Sequence, residues 1–240
     1  MKEKTIGILG GMGPEATLDF FGKIIQNTPA TSDQEHLRVI IDNNPKIPDR
    51  TEAILGKGES PVPVMVQGGL SLAKAGADFI VIPCISAHFF LDELRCNLSL
   101  PIISAFDEVA VLITRNHPDI KAVGLLATKG TIQGGRFQET LIESGIKTLA
   151  PEPEEQERVM SAIYKIKNFS AHKVRKETKG ILADIACSLI ARGSQGIIAG
   201  CTEIPLVLEP EDVIVPLLDP LLILAKAAVR EAQQVTSIDP

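Results

Sequence analysis

Two cysteines in this sequence occupy similar positions, at which a thiol could take part in proton transfer. Cys84 follows the apolar run at residues 79–83, and Cys201 follows a second short apolar run at residues 196–200. Such runs are typical of buried strands in a parallel sheet. Because open α/β sheets bind their ligands at the carboxyl ends of strands, we predict that both thiols face a ligand.

The spacing of these cysteines is repeated elsewhere in the chain. Cys201 lies 117 positions after Cys84, and the same shift relates two pairs of glycines, Gly7 to Gly124 and Gly76 to Gly193. Matches at a constant offset indicate an internal repeat. The sequence therefore predicts two similar halves, each of which presents a thiol at the end of a strand.

Two thiols on opposite sides of one substrate carbon suit a reaction that is symmetric at that carbon, such as the racemisation of an amino acid. One thiolate would remove a proton from one face, and the other thiol would return a proton to the opposite face. A free thiol has a pKa of about 8.5, which falls when the thiol lies at the N-terminus of a helix. Because both cysteines precede predicted helices, we expect their local fields to favour the thiolate. His88 and Glu203 follow the cysteines closely, and we expect them to tune the thiols or to hold protons near them.

A cysteine in an apolar run is more commonly a small buried hydrophobic residue, and this interpretation suits Cys96 and Cys187. The matched positions of the other two cysteines in the repeat favour a function for them. Three threonines near the predicted strand ends have two interpretations that stay open, as turn residues or as ligand contacts: Thr128, Thr131 and Thr202.

Predicted strands alternate with predicted helices, which is typical of an α/β fold with parallel sheets flanked by helices. The strands are expected at 5–9, 37–42, 78–82, 101–104, 122–126, 146–149, 196–199 and 213–218. The helices are expected at 14–27, 61–75, 88–97, 106–116, 134–144, 154–167, 172–192 and 221–233.

This pattern predicts two similar domains, each with a four-stranded parallel sheet flanked by helices. We expect the two domains to be related by a pseudo-two-fold axis, with a cleft between them. The first domain would comprise residues 1–104 and 217–240, and the second would comprise residues 105–216.

The composition argues against several classes of protein. The chain has 240 residues and a net charge of −6, and it lacks a basic cluster with interleaved aromatic residues, so nothing favours nucleic-acid binding. The first residues lead directly into a strand pattern, and the apolar segment at 215–229 is too short to span a membrane. The four cysteines and four histidines make no metal-site pattern. We expect a cytoplasmic protein that binds no metal, nucleic acid or membrane.

Five segments together resemble the aspartate/glutamate racemase family, and most of all its aspartate racemases. They are residues 10–14 (GGMGP), 43–51 (NNPKIPDRT), 83–88 (PCISAH), 126–131 (LATKGT) and 200–203 (GCTE). The resemblance covers nearly the whole chain. It implies an isomerase that works without pyridoxal phosphate, any other cofactor or a metal, and that forms a homodimer.

The resemblance also implies roles for particular residues. Cys84 and Cys201 would be the two catalytic bases, and Arg50 would bind the side-chain carboxylate of the substrate, for which a guanidinium fork is well suited. The substrate-binding residues that it implies are Met12, Arg50, Ser86, Thr128, Lys167 and Thr202. Among these, Met12, Thr128 and Thr202 would lie near the α-carboxylate, and Lys167 near the distal carboxylate.

One departure from the family pattern follows the first cysteine, where the family usually has Asn-Thr and this chain has Ile85 and Ser86. Ser86 keeps a hydroxyl group. Ile85 lacks the amide, which costs about 1–3 kcal/mol if a buried polar partner is left unpaired. The substrate could therefore be bound differently, be turned over slowly or differ from aspartate.

Other functions remain open at this point. Residues 11–16 fit the dinucleotide-binding pattern G-x-G-x-x-A, but Asp42 lies 31 residues after Gly11 instead of about 20. A relative of the same fold could racemise glutamate or isomerise maleate, and a catalytically silent relative could bind an amino acid without turnover. The segment at 43–51 favours aspartate.

Overall fold

The computed structural model describes residues 3–169 and 171–234. It has an α/β fold and divides into two compact units. The first unit contains the chain up to Glu108 together with the segment from Leu221 onward, and the second runs from Val109 to Pro220. Each crossing between units lies four residues later in the chain than the sequence predicts.

The sheet of the first unit has three parallel strands, β1 (Ile6–Gly10), β2 (Val39–Asn43) and β3 (Phe79–Val81), in the order β2-β1-β3. The central strand β1 is buried along its whole length. The apolar sequence of this strand agrees with its burial, because a central strand of a parallel sheet is covered on both faces.

The fourth strand that the sequence predicts at 101–104 is wrong as a strand. Only Ile102 forms a parallel bridge, with Ile80. The Ile80 amide donates to the Pro101 carbonyl at 2.8 Å, and the Ile80 carbonyl accepts from the Ile103 amide at 3.1 Å. The pairing does not extend because proline has no amide hydrogen and the next helix begins at Ala105.

Five helices lie within residues 3–116, and the last of them passes from the first unit into the second at Val109. They are α1 (Pro14–Asn27), α2 (Arg50–Ile54), α3 (Val62–Ala75), α4 (Leu91–Asn97) and α5 (Ala105–Asn116). The sequence did not predict α2, which the Asp49 side chain caps by accepting from the Glu52 amide at 2.9 Å. A 3-10 helix at Ile85–Phe90 precedes α4.

The sheet of the second unit has four parallel strands, in the order β5-β4-β6-β7. These strands are β4 (Ala122–Ala127), β5 (Lys147–Leu149), β6 (Ile197–Gly200) and β7 (Leu217–Leu218). All four are parallel to their neighbours. The predicted four-stranded parallel sheet is confirmed in this unit.

The remaining helices are α6 (Lys129–Gly134), α7 (Arg136–Glu143), α8 (Pro153–Phe169), α9 (Ala171–Ala191) and α10 (Pro220–Gln233). The helix predicted at 134–144 is confirmed as α7, which begins two residues later because Gly135 has a φ of 75° and separates it from α6, a helix that the sequence did not predict. A left-handed residue of this kind ends a helix. Among the described residues, no helix is long and apolar enough to cross a membrane.

The first unit is completed by α10. The Lys4 amide donates to the Ala232 carbonyl at 2.9 Å, and the Lys4 ammonium pairs with the Glu231 carboxylate. Arg230 on the same helix pairs with Glu108 at 2.7 Å. Two separate segments of the chain therefore build this unit.

The two sheets have the same strand register under the shift of 117 positions. Gly7 pairs with Ile80 in the first sheet, and Gly124 pairs with Ile197 in the second. In each unit the first strand is central and lies between the second and third strands. The internal repeat predicted from the sequence is therefore confirmed by strand pairing, and the two matched cysteines follow equivalent strands.

The helix before the third strand also ends in the same way in both units. Gly76 after α3 has a φ of 94°, and Gly193 after α9 has a φ of 102°. In each case the amide of the next residue donates to the carbonyl five positions earlier, at 3.0 and 3.1 Å. Glycine suits this position because it adopts a positive φ without the steric cost of a Cβ atom.

Close packing at Gly7 leaves no room for a side chain. A Cβ atom there would lie 2.9 Å from the Cβ atom of Ala77 and 3.0 Å from the Phe79 carbonyl oxygen. Neither neighbour is the end of a flexible side chain. The glycine thus lets the segment between α3 and β3 lie directly against the central strand.

We predict that Gly7→Ala destabilises the protein by about 1–3 kcal/mol, because the added methyl group forces the backbone of packed elements to move. Gly22→Ala is the matched control, since a Cβ atom at this position in α1 meets nothing within 4 Å. It should be neutral or stabilise the protein by up to about 1 kcal/mol. Urea unfolding followed by circular dichroism measures both, and equal midpoints for the two variants would contradict the packing argument.

Candidate active site

Cys84 lies between the end of β3 and the 3-10 helix at Ile85–Phe90. Its amide donates to the Ile82 carbonyl at 2.8 Å, and its carbonyl accepts from the Ala87 amide at 3.1 Å. The residue is 6% exposed and belongs to the hydrophobic core of the first unit. The backbone therefore holds this thiol in a fixed and largely dry position.

The two residues after this cysteine are buried with it. Ile85 is 2% exposed and Ser86 is 9% exposed. The sequence predicted that Ile85 replaces a polar contact with an apolar one, and its burial beside Cys84 makes this replacement part of the local environment of the thiol.

The loop after β1 lies against the end of β2. Gly11 has a φ of 93°, and a Cβ atom there would lie 2.3 Å from the backbone of Asn44. The Gly11 amide donates to the Thr17 hydroxyl at 2.9 Å. Met12, which follows, is 2% exposed. Glycine at position 11 is what allows this close approach of two backbones.

Arg50, the first residue of α2, is fixed by backbone carbonyls. Its Nη1 donates to the carbonyls of Ile47 and Pro48 at 3.1 and 2.7 Å, and its Nη2 reaches the Met12 carbonyl at 3.5 Å. Its Nε is buried and has no hydrogen-bond partner among the described residues. The structure thus brings two predicted site residues, Met12 and Arg50, together, and leaves the Nε and Nη2 edge of the guanidinium with the weakest partners.

His88 acts as a structural link. Its Nδ1 accepts from the Ala105 amide at 3.2 Å, so its Nε2 carries the hydrogen and donates to the Ile82 carbonyl at 3.0 Å. Burial lowers the pKa of this histidine to about 4, with a further lowering by Arg95, while the bond to Ile82 acts in the opposite direction. The expectation that His88 tunes the thiol or holds a mobile proton is therefore wrong, because both ring nitrogens are already engaged.

Glu203 is the centre of the predicted site residues in the second unit. Its Oε2 accepts from the Cys201 thiol at 2.9 Å and from the Thr202 hydroxyl at 3.0 Å. Lys167, near the end of α8, places its Nζ 3.8 Å from Oε1 of the same carboxylate. Glu203 is 4% exposed, and Cys201 is 5% exposed. Four predicted residues thus form one network, in which Cys201, Thr202 and Glu203 are buried and Lys167 reaches the solvent.

The electrostatic environment of Cys201 differs from the sequence prediction. Burial raises the pKa of the Cys201 thiol well above its usual range, and the Glu203 carboxylate raises it further, while Lys167 acts in the opposite direction. The expectation that a helix field favours the thiolate here is wrong. The following 3-10 helix, Ile204–Leu206, has only three residues and little dipole to offer.

Thr128 caps α6 at the end of β4. Its Oγ1 accepts from the Thr131 amide at 3.2 Å, and the two hydroxyl oxygens are 3.2 Å apart. Both residues are buried. Both threonines therefore act as turn residues. A contact between Thr128 and a ligand stays a proposal.

One residue that supports this segment was not predicted from the sequence. Gln156 on α8 donates from Nε2 to the carbonyl of Ala127, directly before Thr128, at 2.9 Å. A glutamine in a helical pattern carries no signal of such a contact, because its partner lies 29 residues earlier in the chain.

The described residues contain no cluster of three or more histidine, cysteine or acidic side chains that could hold a metal ion. Four predicted site residues of the second unit form one network of thiol, hydroxyl, carboxylate and ammonium groups. Such a network is suited to the movement of protons.

We predict that His88 gives the protein an acid-sensitive component of stability. The unfolded chain binds a proton at this residue below about pH 6.5, whereas the folded protein binds one only below about pH 4. Stability is therefore fully present above pH 6.5 and declines by roughly 3 kcal/mol as the pH falls towards 4. Urea unfolding across this range measures the decline, and His88→Gln should remove it.

A direct check uses the ring signal of His88 in NMR spectra, assigned by its loss in His88→Gln. The signal should titrate with a midpoint near pH 4. A midpoint near the ordinary histidine value of about 6.5 would contradict the structural role of the ring.

Comparison with known proteins gives a consistent result. The family model of the Asp/Glu/hydantoin racemases matches residues 9–228. The chain is 30% identical over 230 residues to the broad-specificity amino-acid racemase RacX of Bacillus subtilis, a match that covers 93% of this chain and 96% of the relative.

Solved structures with similar folds include the aspartate racemase of Picrophilus torridus, with a TM-score of 0.85, 30% identity, and coverage of 96% of this chain and 94% of that one. An aspartate racemase homologue from Pyrococcus horikoshii has a TM-score of 0.76 and 26% identity, and covers 96% of this chain and 99% of its own. With the family model matching most of its length, the chain belongs to the Asp/Glu/hydantoin racemase family.

Proposed function

We propose that this protein racemises an acidic amino acid, with aspartate as the first candidate, by a two-base mechanism that needs no cofactor. Cys84 and Cys201 are the two bases in this proposal. The observation that carries it is the repeat, in which the third strand of each unit is followed by a buried thiol and the register of that strand is the same. A repeat that conserved only packing would have no need of a thiol at both positions.

The proposed reaction requires that both thiols reach the same α-carbon from opposite faces. One thiolate takes the α-proton, and the electron pair of the C–H bond stays on the substrate, delocalised into its α-carboxylate. The other thiol gives its proton to the opposite face. Donors near the α-carboxylate lower the barrier because charge develops there in the transition state. We assign that role to the segments that carry Met12, Thr128 and Thr202.

Arg50 supports an acidic side chain on the substrate. Carbonyl oxygens already engage its Nη1, whereas Nε has no partner among the described residues and Nη2 has only one at 3.5 Å. A buried donor without a partner is costly, and a carboxylate that approached this edge would pair with both nitrogens. Lys167 is a second candidate for the distal carboxylate, because its ammonium lies near the thiol network at the edge of Glu203.

A second candidate function is the racemisation of a wider range of amino acids. The observation that favours it is the burial of apolar Ile85 next to Cys84. An apolar wall there removes a polar contact that would restrict the substrate. The similar protein from Bacillus subtilis bears the name of a broad-specificity racemase.

We also propose that the protein works in the cytoplasm as a homodimer, as the family resemblance implies. All four of its cysteines have free thiols, which is compatible with a reducing compartment. Sedimentation equilibrium would measure the oligomeric state.

The function is tested by incubating the protein with L-aspartate in heavy water, without cofactor. The α-proton is followed by NMR and the enantiomers by chiral chromatography. Loss of the α-proton with formation of D-aspartate supports the proposal. If aspartate binds without exchange, the protein is a silent binding relative. If only other amino acids react, the second candidate stands, and maleate is tested as an isomerase substrate.

We predict that Cys84→Ala and Cys201→Ala each lower racemisation by roughly 10³-fold or more, because a proton donor or acceptor is lost from one face of the substrate. Cys96 and Cys187 are exposed, so the expectation that they are buried hydrophobic residues is wrong. Cys96→Ala and Cys187→Ala therefore serve as controls and should keep wild-type activity. Rates come from polarimetry with each enantiomer. Full activity of either buried-thiol variant would end the two-base proposal.

Arg50→Lys should raise the KM for aspartate about tenfold or more, since a lysine cannot reproduce two parallel hydrogen bonds to a carboxylate. The effect on alanine, if it is a substrate, should be much smaller because its side chain has no carboxylate. Arg38→Lys, at an exposed position, serves as the control. Equal losses for aspartate and alanine would remove Arg50 from side-chain recognition.

A further inference from the structure

The repeat makes the two thiol environments comparable residue by residue, and they differ. The shift of 117 positions places Thr202 opposite Ile85 and Glu203 opposite Ser86. Thus one cysteine is followed by a hydroxyl and a carboxylate, and the other by a hydrocarbon and a hydroxyl. The strands that carry the two thiols match in register, but a 3-10 helix begins directly after Cys84, at Ile85, whereas after Cys201 it begins only at Ile204. The two thiols therefore differ in their charged neighbours and in the backbone that follows them.

Within the described part of the chain, the charged groups that act on Cys201 are Glu203 from its own segment and Lys167 from α8. The thiol donates to Oε2 of Glu203 at 2.9 Å, and Lys167 lies 3.8 Å from the other oxygen. Loss of the thiol proton would place two negative charges in hydrogen-bonding contact at a site that is 4–5% exposed. One ammonium group balances only one of them. Burial, and then Glu203, accordingly raise the pKa of Cys201.

Near Cys84 the equivalent of Glu203 is the neutral side chain of Ser86. The next ionisable group, His88, is uncharged above about pH 4, since burial lowers its pKa to that value and both its ring nitrogens are engaged. Glu203 opposes a thiolate at Cys201, whereas the equivalent residue near Cys84, Ser86, carries no charge.

We propose that the resting protein holds its catalytic proton on Cys201, through the hydrogen bond to Glu203, and that Cys84 is the base that begins turnover. This inference rests on the proposed two-base function. Glu203 is then a positioning residue, which acts through Cys201 and makes no contact of its own with the reacting carbon.

The proton balance of one turnover follows from this assignment. The Cys84 thiolate takes the α-proton, so that an S–H bond forms there and the C–H electron pair remains on the substrate. The carbanion then takes the proton of Cys201 on its opposite face, and that S–H bond breaks to leave a thiolate. Net charge is unchanged, but the protein is left in the reverse form, with a thiolate beside Glu203. Exchange of protons with water restores the resting form.

A consequence is that the two enantiomers meet the protein in different states. The enantiomer with its α-proton towards Cys84 reacts with the resting form at once. The other enantiomer needs the reverse form, which the carboxylate of Glu203 disfavours.

The test measures thiol alkylation instead of turnover. Iodoacetamide reacts with thiolates, and peptide mass spectrometry gives the rate at each cysteine as a function of pH. The exposed Cys96 and Cys187 are internal references. We expect the alkylation of Cys201 to rise only at a pH above that of both references. A midpoint at or below theirs would overturn the proposal, and this measurement needs no variant.

Glu203→Gln keeps the shape of the side chain and removes its charge. It should raise the alkylation rate of Cys201 near neutral pH roughly tenfold, because each unit of pKa changes the thiolate fraction tenfold. The rate at Cys84 should stay the same. Glu211→Gln, an exposed glutamate in the same unit, should change neither rate. An unchanged pH profile of Cys201 in a folded Glu203→Gln variant would show that Glu203 does not hold the proton there.

The outcomes separate this inference from the proposed function. If racemisation is absent but the alkylation profile of Cys201 is displaced as expected, the function fails and the placement of the proton stands. If racemisation is present and Cys201 is alkylated like the references, the function stands and this inference fails.

Discussion

The parallel pairing of the first and third strands in each unit is the constraint on which both thiols depend. β3 has three residues and β6 has four, so few hydrogen bonds define where each strand ends. Close packing against the central strand supplies the rest, since a Cβ atom at Gly7 would collide with Ala77 and the Phe79 carbonyl, and one at Gly124 with the side chains of Leu189 and Ile197. A slip of one residue would turn each thiol to the other face of its sheet. The chemistry of the site therefore rests on the precise packing of small residues.

The burial of Glu203 links stability to reactivity in the second unit. A carboxylate that is 4% exposed costs several kcal/mol unless it is paired, and here a thiol, a hydroxyl and an ammonium group surround it. The same dry surroundings preserve its charge from screening by water. A surface glutamate at this distance would affect the thiol much less. The burial that makes this carboxylate costly is thus also what strengthens its effect on the Cys201 thiol.

Much of the fold could be predicted from alternating patterns and from the repeat, and the failures have local causes. The strand expected around Ile102 is reduced to one bridge, and the short helix α6, which ends at Gly135, was not predicted from the sequence. The sequence shows that His88 and Glu203 follow the cysteines closely, but it does not show which groups their side chains bind. The ring of His88 is taken by Ala105, 17 positions away, whereas Glu203 turns back to its neighbour. Which partner each side chain meets depends on the direction in which it points, and the spacing of residues in the sequence does not give that direction.

Because α10 comes last in the chain but belongs to the first unit, the order of synthesis affects the order of folding. Ribosomes release a chain from its N-terminus, so residues 109–220 are complete before Lys4 can meet Ala232. The second unit is continuous and can fold as soon as it emerges, whereas the first unit lacks α10 until the segment from Pro220 arrives. The half of the protein that is synthesised first is therefore the half that finishes folding last.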